Sequence, residues 1–438
     1  LAKHAALAEC PGKELTITTK SKTDSRPPRA LLAAAIGNIV EWYDFGLYGY
    51  FAPILARLFF PSDDPLAGLI GAYSGFAVGF AVRPLGGAFF GHFGDRISRS
   101  FVLVTSVVMM GAATVAVALL PTYGRIGVAA PILLLLIRVF QGFSVGGEFT
   151  ASVAYLVEAA PSHRRGFIGS FANIGSTIGI LLAALVAATT VTLADTGQLN
   201  DWAWRLPFLV GGVLATCGFL LRRGLRDTSQ ATKPAGLPLK RAFTNGRGIM
   251  LRAMMFTSGY GVVNYLTMVF LPTYAHEFGG LTESATLQIT TVAQIVALLI
   301  VPLAGWLTDT KLRRRTMLII VFATEAILAV PCFILAGQGG LIGFAVAQIA
   351  FGVLFALIMG TEPAMMIELF PRDYRLSGYA FSFNIGIGIA GGTSPLVALW
   401  LIHATGQTLA PALYLALGGG IATMAAFLMI DRSRAPLL

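Results

Sequence analysis

The 438 residues are 56% hydrophobic and 12% charged, with 50 glycines and a mean hydropathy of +0.75. Soluble domains are roughly half apolar and a quarter charged, so this balance excludes a water-soluble globule, and the lack of period and polarity excludes a collagen-like or disordered chain. The net charge of +10 does not point to nucleic acid, because 26 of the 31 Lys and Arg fall on alternate connections, all on one side.

Residues 1–29 are polar and basic, with neither an apolar stretch nor a cleavable signal pattern, and read as a flexible basic cytoplasmic tail. The apolar stretches that follow are each long enough to cross a hydrocarbon core about 30 Å thick as a helix. A backbone in lipid must satisfy its own hydrogen bonds, so helices are the expected form. The first span, 31–52, carries Glu41, Tyr43, Asp44 and Tyr48. Glu41 and Asp44 stand at i and i+3 on one face, with Tyr48 a turn further on. Buried carboxylates are costly, so at least one is expected to be protonated or paired, as a proton carrier requires; the alternative is a structural partnership with buried arginines.

The second span, 66–90, holds Arg83 before Pro84 and leads into a loop with Asp95, Arg96 and Arg99. Span 101–120 is followed by 132–157, in which Arg138, Gln141, Val145 and Glu148 fall at i, i+3, i+7 and i+10 along one helical face. A guanidinium there can grip a substrate carboxylate through two parallel donors. Equally, Arg138 can belong to a structural network with Glu148 or Asp44. Glu158, Pro161 and Arg165 close this span, and 167–193 and 204–221 complete the first six. Cys217 and Cys332 lie in apolar spans as small hydrophobes, and with Cys10 they suggest neither a disulfide framework nor a metal site.

A polar, basic connector with Pro234, Gly236 and Pro238 occupies 222–248 and separates bundle 30–221 from bundle 249–431, which ends in a short tail, 432–438. The second six spans are 250–274, 287–307, 317–336, 341–367, 378–402 and 412–430. Asn264, Tyr265, Glu362 and Asn384 are polar groups in these apolar spans and candidate cavity lining, while Glu325 lies in a span expected at the periphery, without an assigned role. The halves repeat each other. Gly91, Asp95 and Arg99 have the spacing of Gly305, Asp309 and Arg313, and Glu158, Pro161 and Arg165 that of Glu368, Pro371 and Arg375. Duplicated six-span halves place a substrate site between them near the midplane, and the repeated loop charges read as gates rather than simple anchors. Only Arg57, Arg125 and Arg205 fall on the opposite loops, which puts both termini in the cytoplasm of a cell inner membrane. Gly386, Gly388 and Gly391 spell a dinucleotide fingerprint, yet no strand precedes them, so they read as helix-packing glycines. A phosphate-binding lysine loop, a nucleophile-and-base set and a metal-spaced histidine cluster are all missing from the sequence, so neither ATP drive nor an enzyme is expected.

Four segments carry a resemblance: Gly37-Asn38 with Glu41-Trp42-Tyr43-Asp44-Phe45, Arg83-Pro84-Leu85-Gly86-Gly87, Gln141-Gly142-Phe143-Ser144 with Gly146-Gly147-Glu148, and Trp202 with Trp204-Arg205 and Pro207-Phe208. Over residues 30 to 430 the chain resembles the major facilitator superfamily, in particular the metabolite:proton symporters that include the proline/betaine, α-ketoglutarate, shikimate and citrate carriers. The resemblance implies an all-α integral membrane fold of twelve transmembrane helices in two pseudo-symmetric six-helix bundles. It also implies proton-coupled uptake, by alternating access, of a small carboxylate-bearing metabolite, an organic acid or a zwitterion. A facilitative sugar or polyol porter and a transport-dead sensor are the alternatives. Asp44, Glu41 and Glu148 are the candidate proton-coupling residues, and Arg83, Arg138, Gln141, Tyr43, Tyr48, Asn264, Tyr265, Glu362 and Asn384 the candidate substrate contacts. Asp95, Arg96, Arg99, Asp309, Arg313 with Arg314 and Arg315 beside it, Glu158, Arg165, Glu368 and Arg375 are the candidate gates. The expected partners are a small-molecule substrate, the proton as coupling ion and the lipid bilayer; no cofactor, metal or nucleic acid is expected, and a monomer should suffice. The sequence ends soon after Arg434 without the coiled-coil tail of osmosensory carriers, so osmotic sensing is not expected.

Overall fold

A computed structural model describes residues 28–87, 89, 99–146, 148–222, 238–372 and 374–437. Most of the expected tail, Asp95, Arg96 and 223–237 of the connector lie outside the described residues, as do the side chains of Arg99 and Glu148. Within the described residues the regular structure is helical, with no strand.

The first half comprises α1 (Pro28–Tyr50), α2 (Pro65–Ala81), α3 (Arg99–Leu119), α4 (Ala129–Ser144), α5 (Glu148–Ala159), α6 (Arg165–Leu193) and α7 (Leu206–Arg222). Local chemistry sets several starts. The Asp64 carboxylate accepts the Leu66 N–H at 2.9 Å with Pro65 in the first turn of α2, and Thr282 caps the helix that begins at Glu283. The second half comprises α8 (Arg247–Tyr265), α9 (Leu271–Glu277), α10 (Glu283–Thr310), α11 (Arg314–Gln338), α12 (Gly340–Leu369), α13 (Arg375–Phe383), α14 (Ser394–Thr405) and α15 (Ala410–Leu428). Nine helical runs among the described residues are long and apolar enough to cross a membrane. The shorter apolar helices Val104–Leu119 and Ala129–Ser144, with α1, bring the number of spans to twelve.

Within the first half α1 packs on α6, α3 on α7 and α2 on α4; within the second, α8 packs on α15, α10 on α12, and α11 on both α12 and α15. Across the seam α6 lies along α10, and α2 meets α14. If the halves are superposed, the second span corresponds to the eighth and the fifth to the eleventh, so these two seam contacts are one contact made twice. Large apolar side chains such as Leu299, Ile327, Ile342 and Leu413 point outward, where lipid replaces water.

Besides the turn at Val82 in span two, three expected spans are not single α-helices. Span four breaks between α4 and α5, so the face drawn through Arg138, Val145 and Glu148 does not continue past Ser144. The cause is a close crossing: a Cβ on Gly146 would overlap the backbone of Gly87, and one on Gly142 the carbonyl of Gly79, so α4 and the second span approach to backbone contact. Spans seven and eleven each contain a π-helical segment, Leu266–Phe270 and Asn384–Gly391. Gly386 and Gly391 lie in the latter and pack on Thr257 and Gly261, which agrees with their reading as packing glycines. The span of Glu325, α11, packs on helices of the second half and presents Ile320, Ile327 and Ile334 outward, as expected of a peripheral span, yet the Glu325 side chain itself is fully buried.

Candidate functional site

Asp44, Arg138, Gln141 and Thr114 form one buried network from α1, α3 and α4. Arg138 Nη1 donates to Asp44 Oδ2 at 2.8 Å and to Gln141 Oε1 at 2.6 Å. Gln141 Nε2 and the Thr114 hydroxyl both donate to Asp44 Oδ1, at 2.8 and 2.6 Å. The guanidinium lies over the rings of Tyr48 and Phe45, 4.3 and 4.9 Å from their centroids, while its Nε and Nη2 have no hydrogen-bond partner. A guanidinium between an acid and two aromatic faces is held by charge and quadrupole together. Of the two partners the sequence offered Arg138, the structure places Asp44 against it.

Glu41, one turn earlier on α1, pairs with the other arginine. Arg83 Nη2 donates to Glu41 Oε1 at 2.5 Å, and the guanidinium sits 5.1 and 5.4 Å from the Phe80 and Phe45 centroids. Its Nε and Nη1 are unpartnered. This pair faces the seam: Phe80 packs on Tyr265 of the second half with centroids 5.0 Å apart, Phe76 on the same ring at 5.3 Å, and the Tyr265 hydroxyl is buried without a partner. A water-sized void touches Glu41, Met110 and Ser144. Two acid–arginine pairs and five aromatic rings thus converge at mid-depth, with donors to spare on each arginine.

The other expected contacts divide. Tyr43 turns away and donates to the Pro207 carbonyl at 2.6 Å, and Tyr48 donates to the Ala72 carbonyl at 2.9 Å, so both hydroxyls serve helix packing. Asn384 bridges the seam, donating to the Gly146 carbonyl at 3.2 Å, and Asn264 is buried. Glu362 takes the Tyr379 hydroxyl on Oε1 at 2.9 Å and leaves Oε2 open.

Around this centre each face of the seam is tied. On the face that carries the chain ends, Asp309 accepts the N–H groups of Gly166 and Phe167, both at 2.8 Å, at the start of α6, where the helix dipole favours an anion. Arg314 donates to Asp309 at 2.7 Å and to Glu368 at 3.0 Å, Arg165 lies 3.7 Å from Glu368, and Arg375 donates to Glu158 at 2.6 Å across the seam. Of the run Arg313 to Arg315, Arg313 is exposed and Arg314 is the buried partner of Asp309, because α11 begins there and turns that side chain inward. On the opposite face Arg57 donates to Glu283 at 2.8 Å, and the hydroxyls of Thr192 and Ser284 lie 2.6 Å apart. The described residues are therefore tied across the seam on both faces.

Several bridging residues had no place among the sequence candidates. Thr114 holds Asp44, Asn173 donates to the Met359 carbonyl at 2.8 Å across the seam, and the Tyr73 hydroxyl meets that of Thr273 at 2.9 Å. Each is a polar residue in an apolar span, which is the available signal. The Arg205 motif has a packing role: its guanidinium donates to the Leu120 carbonyl at 2.9 Å and covers the Trp204 ring at 4.4 Å, tying the sixth span to the end of the third.

The family described as Major Facilitator Superfamily matches residues 34–381 and 253–437. The chain is 34% identical over 431 residues to the glycine betaine/proline/ectoine/pipecolic acid transporter OusA of Dickeya dadantii, covering 94% of this chain and 85% of that one. It is 32% identical over 433 residues to the proline/betaine transporter of Escherichia coli K12, with the same coverage. The ectoine/proline transporter ProP of Corynebacterium glutamicum is 34% identical over 445 residues, covering 94% and 86%. Among solved structures, a D-xylose-proton symporter superposes with a TM-score of 0.76 at 19% identity over 94% of this chain and 99% of that one, a likeness of fold.

Proposed function

Because this chain belongs to the major facilitator superfamily and is a multi-pass membrane transporter rather than an enzyme, we propose that it couples inward proton flow to uptake of a small carboxylate-bearing zwitterion of the proline and betaine class. The observation that carries the reading is the pair of arginines at mid-depth, each matched to one acid of α1 and each with unused donors. Protonation of Asp44 removes the counter-charge of Arg138 and frees the guanidinium for a substrate carboxylate. The cationic end of the same substrate then fits the faces of Phe76, Phe80 and Tyr265. Gln141 and Thr114 keep the Asp44 carboxyl oriented in either protonation state, since one can accept where the other donates.

Alternating access follows from the ties on the two faces. Breaking the Asp309, Glu368 and Arg375 contacts opens one face, and breaking Arg57–Glu283 opens the other. The charge sidedness of the loops supports a cytoplasmic location for both termini and for the first of these gates. Proteoliposomes test the reading. With an inward proton gradient, labelled proline or betaine should accumulate and should be lost on adding protonophore. Accumulation indifferent to protonophore removes the coupling, and inhibition by citrate or α-ketoglutarate with no response to proline or betaine moves the substrate to the organic acids.

A further inference from the structure

The second half holds an acid that the proposed transport cycle does not use. Glu325 stands eleven residues into α11, which at 1.5 Å per residue is about 16 Å from the start of that helix. It is fully buried, neither carboxyl oxygen has a hydrogen-bond partner, and no described cation pairs with it. Packing seals it from lipid on the α15 side, where a Cβ on Gly419 would already press on the Phe322 carbonyl and on Ala326.

Its surroundings lead to one neighbour. Phe256 of α8 and Phe322 of α11 meet with centroids 5.5 Å apart. Both helices run away from the face of the chain ends, so the residues one turn further along, Tyr260 and Glu325, share the next level of the same seam. Tyr260 stacks on Phe355 of α12 at 5.7 Å. Glu362, two turns along α12, has one oxygen on Tyr379 and one free, and Glu368 beyond it reaches the Arg314 gate at 3.0 Å. From the remaining elements, α15 offers no charged residue and only Tyr414 as a titratable one, while Tyr274, His276 and Glu277 of α9 lie at the far end of the bundle.

We propose that Glu325 is a second proton-binding site, in the bundle opposite Asp44, and that it holds its proton as a neutral carboxylic acid. An ionised carboxyl without a counter-charge at this depth is costly, which is why such groups in spans mark ion pathways.

Infrared spectroscopy of the purified protein in liposomes tests the site independently of any substrate. Wild type at neutral pH should show a protonated-carboxyl band, of which Glu325→Gln removes a component. A band left whole in that variant overturns the proposal. The transport arm rests on the proton-coupled reading above. Glu325→Gln should lose gradient-driven accumulation of labelled proline while retaining counterflow exchange, and wild-type accumulation in that variant overturns a part for Glu325 in coupling. Should Glu325→Gln fail to fold, Glu325→Asp, which keeps a carboxyl, should shift the band component, and an unmoved band overturns the proposal. Failure of wild type to accumulate proline counts against the function above and leaves the infrared result standing.

Discussion

At the scale of single residues, the decisive feature is that α1 distributes two acids to two different arginines. Asp44 and Glu41 share a face, yet Asp44 reaches inward to Arg138 while Glu41 reaches the seam and Arg83. Removing one member of a buried pair leaves an uncompensated charge, a loss of about 3–5 kcal/mol. Asp44→Asn is therefore expected to abolish gradient-driven uptake and to lower the thermal unfolding midpoint in detergent; unchanged uptake would remove Asp44 from the coupling. Thr114→Val deletes one hydrogen bond to the same carboxyl, worth about 1 kcal/mol, and should keep most of the uptake. The sequence disclosed that Arg138 needed a counter-charge, but not which one. Asp44 is 94 positions away and Glu148 only ten, and spacing along a helix left both open, because it says nothing of which distant span is packed alongside.

At the scale of elements, hydropathy located all twelve spans because composition over about 20 residues is what a bilayer reads. It was silent about their interiors. A π segment at Leu266–Phe270 or Asn384–Gly391 has the same composition as an α-helix, and the break in span four lies among glycines that elsewhere serve packing alone. These glycines carry a prediction. A Cβ on Gly142 would overlap the carbonyl oxygen of Gly79, and backbone cannot yield as a side chain can. Gly142→Ala should reduce the yield of folded protein sharply, whereas Gly420→Ala, whose Cβ meets nothing, should leave it unchanged. Comparable yields for the two would show that α4 and the second span are not in backbone contact. The start of α11 carries another. Arg314→Gln should destabilise the gate and slow uptake, while Arg313→Gln, on the exposed neighbour, should stay within about 0.5 kcal/mol of wild type. The repeated spacing matched Arg313 within the run Arg313 to Arg315, and the register of the helix start decides which of the three turns inward.

At the scale of the whole molecule, the internal repeat legible in the loops appears in space as one seam contact made twice, α2 on α14 and α6 on α10. Such a seam can rock, and its two faces are tied by different chemistry. The face of the chain ends uses a buried charge network on a helix N-terminus, and the opposite face uses an exposed Arg57–Glu283 pair and the Thr192–Ser284 hydroxyls. Exposed pairs contribute about 0–1 kcal/mol, so the opposite face should be the easier to open. The two hydroxyls are close enough for cysteines at those positions to approach disulfide geometry. The Thr192→Cys/Ser284→Cys double variant, made with Cys10, Cys217 and Cys332 replaced by Ala, should therefore cross-link under mild oxidant. Locking that face shut should stop uptake, and reductant should restore it, with each single variant indifferent to both reagents. Free-thiol labelling before and after oxidation measures the cross-link. Full uptake by cross-linked protein would mean that the seam does not need to part there, and would remove the opposite-face tie from the transport cycle.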